Sequence, residues 1–186
     1  MEIPRALLPQ WRLRRTSGVI FVTVGNATTG FLRLLEVVDE LAAAGAFGND
    51  RVFIQSGNNP DFKPRYCEHE TFINMELFSM CIEEANMVIS HGGAGTLMHV
   101  LRAGKVPVVM PRRKHYGELV DDHQYDLVRS LAFEGRVIPA YETNDLAGAI
   151  ALARSVISPY FPSSPSRMIL FVSDAVGELI SDQGKG

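Results

Sequence analysis

Cysteine is scarce in this sequence: Cys67 and Cys81 are the only two among 186 residues. They form no CxxC pair, and no pair of histidines stands beside either one at a spacing typical of zinc ligands. The histidines also lack an HExxH-type spacing, so a metal site is not expected. Because so few cysteines favour a reducing compartment, we predict a cytoplasmic protein without a bound metal.

Long apolar runs and charge of a single sign are also missing. No stretch approaches the roughly 20 apolar residues that cross a bilayer, and charges occupy the N-terminus where a signal peptide has its apolar core. The formal net charge is -3, with both signs spread along the chain, which gives no field that would attract nucleic acid. Residues 1–15 are basic, with four arginines against one glutamate; they could contact an anionic membrane or form a frayed extension.

Apolar segments of two kinds alternate along the chain. Gly18–Val24 is a continuous β-branched and aromatic run, as expected of a strand that is buried on both faces. Apolar residues then recur at three- and four-residue spacing over Phe31–Leu41, which indicates a helix with Thr28 or Thr29 as its cap. The same patterns predict strands at 51–55, 87–90, 106–110 and 135–138, and helices at 75–85, 96–103, 121–133 and 145–156, the last with Asn144 as its cap.

Strand and helix thus alternate at least four times, and right-handed crossovers over a parallel sheet satisfy that order. We therefore predict an α/β fold with a doubly wound parallel sheet of the Rossmann-like type. By composition the chain divides into a basic extension at 1–17, one α/β domain at 18–157, and a linker with a last helix at 158–186.

Ligands of such a sheet bind at the carboxyl ends of the strands, so the loops that begin at Gly25, Gln55, Ser90 and Met110 form the candidate site. The turn Ser90–Thr96 is the most informative, because consecutive glycines let backbone amides approach a ligand at a helix N-terminus. A phosphate or diphosphate fits this turn, although the glycines could also simply shape a tight connection. The GxGxxG, P-loop and GxSxG patterns are absent, which disfavours dinucleotide, ATP and serine-hydrolase sites.

A second polar stretch, residues 110–124, follows the strand at 106–110. Carboxylates, an imidazole and an amide lie within seven positions there, and such groups suit hydrogen bonding to sugar hydroxyls. The alternative is a solvated loop that leads into a helix whose N-terminus favours acidic residues. Three basic residues at 112–114 could bind a uronic acid carboxylate, an acceptor diphosphate or a lipid headgroup.

The order of these segments resembles the glycosyltransferase family 28 C-terminal domain, with the similarity running over Val19–Ile150. The segments that carry the resemblance are 22–25, 54–57, 89–96, 109–112 and 122–124. Within that family the chain is most similar to stand-alone donor-binding subunits, such as the bacterial PssE type of exopolysaccharide synthesis and the eukaryotic type that adds the second N-acetylglucosamine to dolichol diphosphate.

This resemblance implies half of a GT-B enzyme. Domain 18–157 would bind a UDP-sugar as donor substrate, with no further cofactor. A separate membrane-anchored subunit would bind a lipid-linked sugar acceptor, which would place this chain in the cytoplasm at the inner face of the membrane. The implied reaction is an inverting hexosyl or glucuronosyl transfer in the synthesis of an exopolysaccharide or related glycan.

The resemblance also implies roles for single residues. The turn would cradle the diphosphate of the donor through Gly92, Gly93, Ala94, Gly95 and Thr96. The donor sugar would lie against Asp122, His123 and Gln124. Two residues in the other loops, Gly25 and Gln55, would either line the cleft or shape turns.

At one position the sequence departs from the family pattern. His99 stands where the family often has an acidic residue that accepts both ribose hydroxyls, and a neutral imidazole can accept only one. Glu118 is the candidate to compensate from the neighbouring loop. His91 is the local candidate for a catalytic base, with orientation of the turn as the alternative.

Two other functions compete with the transferase. A binding or scaffold subunit could keep the fold without donor turnover, and the departure at His99 is compatible with that. A relative of the sugar-nucleotide epimerases is the weaker alternative, because those enzymes carry both halves of the fold in one chain.

Overall fold

A computed structural model describes residues 18–155 of the chain. Six parallel strands form one sheet in the order β3-β2-β1-β4-β5-β6; four α-helices lie between strands along the described chain, and a fifth follows β6. The strands are β1 Val19–Thr23, β2 Arg51–Gln55, β3 Glu68–Glu70, β4 Met87–His91, β5 Val108–Met110 and β6 Ile138–Pro139. The helices are α1 Leu32–Ala43, α2 Met75–Glu84, α3 Ala94–Arg102, α4 His123–Phe133 and α5 Leu146–Ser155. The prediction of a doubly wound parallel sheet is confirmed.

The order of the strands reverses between β1 and β4, which are neighbours in the sheet. Ile20 pairs with Val52 of β2 on one side and with Met87 of β4 on the other. From this central pair the connections run outward in opposite directions, so the loops that follow β1 and β4 lead to helices on opposite faces of the sheet. Such a switch point leaves a crevice for a ligand.

Alternate residues of β1 pack on opposite faces of the sheet. Ile20 and Val22 belong to the core that α1 and α5 cover, while Val19 and Phe21 belong to the core under α2 and α3. A further cluster fills the space between α4 and β5. All five residues of β1 are buried, which explains why four of them are apolar and why the fifth, Thr23, has its hydroxyl bonded to the Gln55 side chain.

The predicted helix caps are wrong. Neither threonine caps α1: its N-cap position is Phe31, whose amide donates to Asn59 Oδ1 at 2.7 Å, while the Thr29 hydroxyl donates to the carbonyl of Glu118 at 2.8 Å. Before α5 a short 3-10 turn, Thr143–Asp145, is closed by a reciprocal capping box between Glu142 and Asp145 rather than by Asn144.

Several boundaries also differ from the predictions. The strand β3 was not predicted, and helix α3 begins two residues earlier than the apolar pattern indicates. Helix α4 begins at His123 rather than at position 121. The predicted extension at 1–17 and the linker and last helix at 158–186 lie outside the described residues. Within residues 18–155, no helix is long and apolar enough to cross a membrane.

Candidate functional site

A cavity of about 360 Å³ opens at the carboxyl edge of the sheet, at the switch point between β1 and β4. Its size lies within the range typical of small-molecule sites. The cavity is lined by Gly25, Asn26, Gln55, Ile73, Met75, Phe78, His91, Gly93, Gly95, Thr96 and His99. The fold therefore brings together three of the four loops that the sequence indicated.

The predicted site residues divide into two groups. Seven of them line this cavity: Gly25, Gln55, His91, Gly93, Gly95, Thr96 and His99. Six do not line it: Gly92, Ala94, Glu118, Asp122, His123 and Gln124. The second group includes two members of the glycine turn itself and four residues that follow β5.

The N-terminus of α3 forms one wall of the cavity. Gly93 is its N-cap residue and has no side chain to satisfy the first amides, and the first turn of the helix closes with the Leu97 amide donating to the Gly93 carbonyl at 3.0 Å. The amides of residues 94–96 thus precede the first intrahelical bond and have no helical acceptor. Together with the helix dipole and the Thr96 hydroxyl, they suit an anion.

His91 ends β4 and packs between two glycines. A Cβ atom on Gly25 would lie 2.6 Å from Nε2 of the ring, and one on Gly93 would lie closer still, so both positions need glycine. Gly25 also has a φ of 72°, which other residues rarely adopt. The fit explains why the glycine turn and the loop after β1 approach each other.

Burial lowers the pKa of His91 to about 4. The positive charge of Arg112 acts in the same direction, while the carbonyl of Thr23 opposes the shift. An imidazole with this pKa is neutral at pH 7 and is a weak proton acceptor. These properties favour the alternative role of His91, which is to hold the turn in place.

Gln55 lines the cavity but its amide group is already bonded. The Oε1 atom accepts from the Thr23 hydroxyl at 2.5 Å, and Nε2 donates to the carbonyls of Gly25 and Thr71, each at 3.2 Å. The side chain is 2% exposed. Gln55 therefore joins the loops after β1 and β3 and shapes the cavity, rather than offering free donors to a ligand.

The end of the cavity that faces α2 is apolar. Ile73, Met75 and Phe78 line it, and the ring of His99 meets the ring of Phe78 edge to face with centroids 6.0 Å apart. Met75 is 63% exposed, so its side chain stands at the rim. The cavity therefore combines an end at α3 that suits an anion with an apolar end that can contact a flat ring.

Glu118 does not lie where it could compensate for His99. Its carboxylate forms a two-point ion pair with Arg33, with Nε to Oε1 and Nη2 to Oε2 both at 3.0 Å. It also accepts from the Arg113 amide at 2.9 Å, and the side chain is buried. Glu118 thus fastens the loop after β5 to α1, and it takes no part in the cavity.

Gln124 is buried beside the glycine turn. Its Oε1 atom accepts from the Arg112 amide at 3.2 Å, and a Cβ atom on Gly92 would lie 3.0 Å from the Cβ of Gln124. With Oε1 used in this way, the amide nitrogen remains the part of the side chain suited to a ligand. The turn therefore separates the cavity on one side from Gln124 on the other.

The neighbours of Gln124 have different surroundings. Asp122 accepts from the Lys114 amide at 3.1 Å and pairs with Arg113, and these contacts lower its pKa. His123 is exposed, and its Nδ1 contacts the carboxylate of Asp121. Asp122 thus stabilises the loop, while His123 is accessible to a ligand.

The three basic residues at 112–114 do not form one patch. Arg112 is 1% exposed, and Arg113 pairs with Asp122 and Glu142, which leaves Lys114 as the exposed member. This separation argues against a shared carboxylate or phosphate site. Within residues 18–155, no group of three or more histidine, cysteine or acidic side chains could hold a metal ion.

Comparison with known proteins gives a family for this chain. The glycosyltransferase family 28 C-terminal domain matches residues 19–173. The human UDP-N-acetylglucosamine transferase subunit ALG13 is 32% identical over 125 residues, which are 63% of this chain and 10% of that protein. The protein of the same name from Yarrowia lipolytica is 27% identical over 146 residues, 74% of this chain and 72% of that protein. The chain thus spans only about a tenth of the human relative.

Solved structures show the same fold. The glycotransferase of kitacinnamycin has a TM-score of 0.58 at 21% identity, over 75% of this chain and 35% of that one. The glycosyltransferase SnogD from Streptomyces nogalater has a TM-score of 0.52 at 20% identity, over 82% of this chain and 44% of that one. Since the family match covers most of the sequence and the fold agrees with it, the chain belongs to the glycosyltransferase family 28 C-terminal domain family.

Proposed function

We propose that this chain is the donor-binding subunit of a UDP-sugar-dependent glycosyltransferase. The observation that carries the proposal is the cavity, which joins the N-terminus of α3 to an apolar end at the switch point of the sheet. Membership in a glycosyltransferase family supports a sugar nucleotide as the ligand rather than another anion.

The two ends of the cavity suggest how the donor would lie. The uracil ring of the donor would contact Ile73 and Phe78 at the apolar end, and the diphosphate would accept hydrogen bonds from the amides at the start of α3. The sugar would then extend past the glycine turn towards Gln124 and His123, which lie on its other side. His99 would lie near the ribose, where it could bond one hydroxyl.

In this arrangement the chain would act chiefly on the leaving group. As the bond from the sugar to the diphosphate breaks, negative charge grows on UDP, and the α3 amides with the Thr96 hydroxyl would stabilise it. Inversion requires a base that deprotonates the acceptor hydroxyl. Because the pKa of His91 is about 4, we assign that base to the partner subunit.

The relatives suggest the donor and the assembly. Both are named UDP-N-acetylglucosamine transferase subunits, which supports a UDP-linked sugar and a second subunit for this chain too. We propose that this second subunit is anchored in the membrane, that it binds a lipid-linked sugar acceptor, and that this chain lies at the cytoplasmic face. The product would be an exopolysaccharide or a related glycan.

Titration calorimetry with UDP tests the donor site. We expect the full chain to bind UDP and to bind uridine far more weakly, since the diphosphate provides the contacts at α3. Thr96→Val should weaken UDP binding by about ten-fold or more, because a hydrogen bond to a charged group contributes about 1.5–3 kcal/mol. Thr143→Val is the matched control, since that residue does not line the cavity, and its affinity should equal that of the wild type.

The assembled enzyme tests the reaction. Co-expression with a candidate membrane subunit, followed by assays of several UDP-sugars on membrane lipids, should give transfer only when both chains are present. Gln124→Ala should then lower transfer more than it lowers the affinity for UDP. Absence of UDP binding by the wild type, with and without the partner, would favour the scaffold function instead.

A further inference from the structure

Arg112, one of the three basic residues at 112–114 that the sequence suggested as an anion site, is fully buried. Its Nη1 atom donates to the carbonyls of Thr29 and Gly30 at 2.9 and 2.7 Å, and Nη2 donates to the carbonyl of Val24 at 3.0 Å. The guanidinium group also lies over the ring of Phe31, 4.9 Å from its centroid. A planar group with several fixed donors thus holds both ends of the segment that connects β1 to α1.

That segment, residues 24–30, carries part of the cavity wall. Gly25 and Asn26 line the cavity, and Gly25 packs against the His91 ring. The carbonyls of Val24 and Gly30 lie on either side of these residues, and one guanidinium group bonds both. The position of the wall therefore depends on a side chain that does not line the cavity itself.

The backbone of the same residue acts on the other side of the glycine turn. The Arg112 amide donates to Gln124 Oε1 at 3.2 Å, which fixes the orientation of the Gln124 amide group. Arg112 thus contacts both the 24–30 segment, which forms part of the cavity wall, and the side chain of Gln124, which lies on the proposed sugar side of the glycine turn. The charge of Arg112 also acts on His91, whose ring packs against Gly25 of the same segment.

We propose that Arg112 is a positioning residue for the donor, which sets the shape of the cavity through the 24–30 segment without touching the ligand. The inference rests on the proposed function, since it concerns the affinity for UDP. A buried cation is costly unless it is well paired, and here backbone carbonyls rather than a carboxylate provide most of the pairing. Such an arrangement ties the cation to the geometry of one backbone segment.

Two substitutions separate the geometry of Arg112 from its charge. Arg112→Lys keeps the charge, but a single ammonium group cannot reproduce a planar fork that bonds three carbonyls in different directions. Arg112→Met keeps the approximate length and removes the charge. Lys105→Met is the control, since Lys105 also donates to a carbonyl, that of Ala85 at 2.6 Å, but at the opposite edge of the sheet.

Calorimetry with UDP and an NMR titration of the His91 ring give the two readouts. We expect both Arg112 variants to bind UDP at least about ten-fold more weakly, which corresponds to about 1.4 kcal/mol. The pKa of His91 should rise in Arg112→Met and stay low in Arg112→Lys, a difference that a general loss of stability would not produce. Lys105→Met should match the wild type in both readouts.

The outcomes distinguish this inference from the proposed function. If the wild type binds UDP and Arg112→Lys binds it equally well, the positioning role is refuted and the donor site stands. Should Arg112→Met fail to fold, Arg112→Lys still decides, because it retains the buried charge. If the wild type binds no UDP, the proposed function fails and the inference fails with it.

Discussion

The protonation of His91 should make the stability of this protein depend on pH. Folding lowers the pKa of His91 from an ordinary value of 6.5 to about 4, so between these values the unfolded chain binds the proton more tightly. The contribution of neutral His91 to the free energy of unfolding is therefore fully present above about pH 6.5, and it is lost as the pH falls towards 4. At about 1.36 kcal/mol per pKa unit, the whole effect amounts to about 3 kcal/mol, of which about 2 kcal/mol should be lost between pH 7 and pH 5.

Urea unfolding of the wild type and His91→Gln at pH 7, 6 and 5 measures this effect. Glutamine keeps a polar side chain but cannot take up a proton, so the difference between the two proteins isolates His91 from the other titrating groups. We expect the free energy of unfolding of the wild type to fall by about 2 kcal/mol more than that of the variant. Parallel curves for the two proteins would show that His91 is not held neutral in the folded protein and is therefore not a weak base.

Two pairs of glycines allow matched tests of packing near the cavity. Gly25→Ala and Gly45→Ala both place alanine at a left-handed φ, which costs about 1–2 kcal/mol. Only the alanine at position 25 would meet the His91 ring. Gly25→Ala should therefore unfold at a lower temperature than Gly45→Ala, and it should also bind UDP more weakly. Equal melting temperatures would contradict the packing of that ring. Gly92→Ala should be less stable than Gly95→Ala, because a Cβ atom at Gly92 would lie 2.9–3.1 Å from atoms of α4 whereas one at Gly95 meets nothing within 4 Å. Thermal unfolding compares them, and a Gly92→Ala protein as stable as the wild type would mean that α4 packs less closely.

Much of the fold could be predicted from the sequence because the buried parallel strands are continuous apolar runs. The strand β3 could not, since its sequence Glu68-His69-Glu70 is polar and it forms only by pairing with β2 at the edge of the sheet. The N-cap of α1 was predicted wrongly for a similar reason. The partner of the Phe31 amide is Asn59, 28 positions further along the chain, and local patterns do not show such contacts.

The parts of the candidate site that are formed by backbone, rather than by side chains, could be predicted from the sequence. The glycine turn and the loop at Gly25 meet in the cavity because any parallel sheet brings its carboxyl ends together. The apolar end of the cavity was not predicted, because Ile73 and Phe78 look like ordinary core residues of α2 and of the segment just before it. Arg112 and Glu118 were misplaced because the sequence does not tell a buried charge from an exposed one.

The strand order has a consequence for how long this protein survives in a cell. The cavity lies between β1 and β4, whose pairing closes a long loop of chain, so it exists only when both halves of the sheet have joined. A ligand that needs this junction binds the folded chain alone, and at a hundred times its dissociation constant it adds about 2.7 kcal/mol against unfolding. Under the proposed function, the supply of sugar nucleotide would protect the subunit from proteases. A shortage of donor would then remove the enzyme as well as slow it.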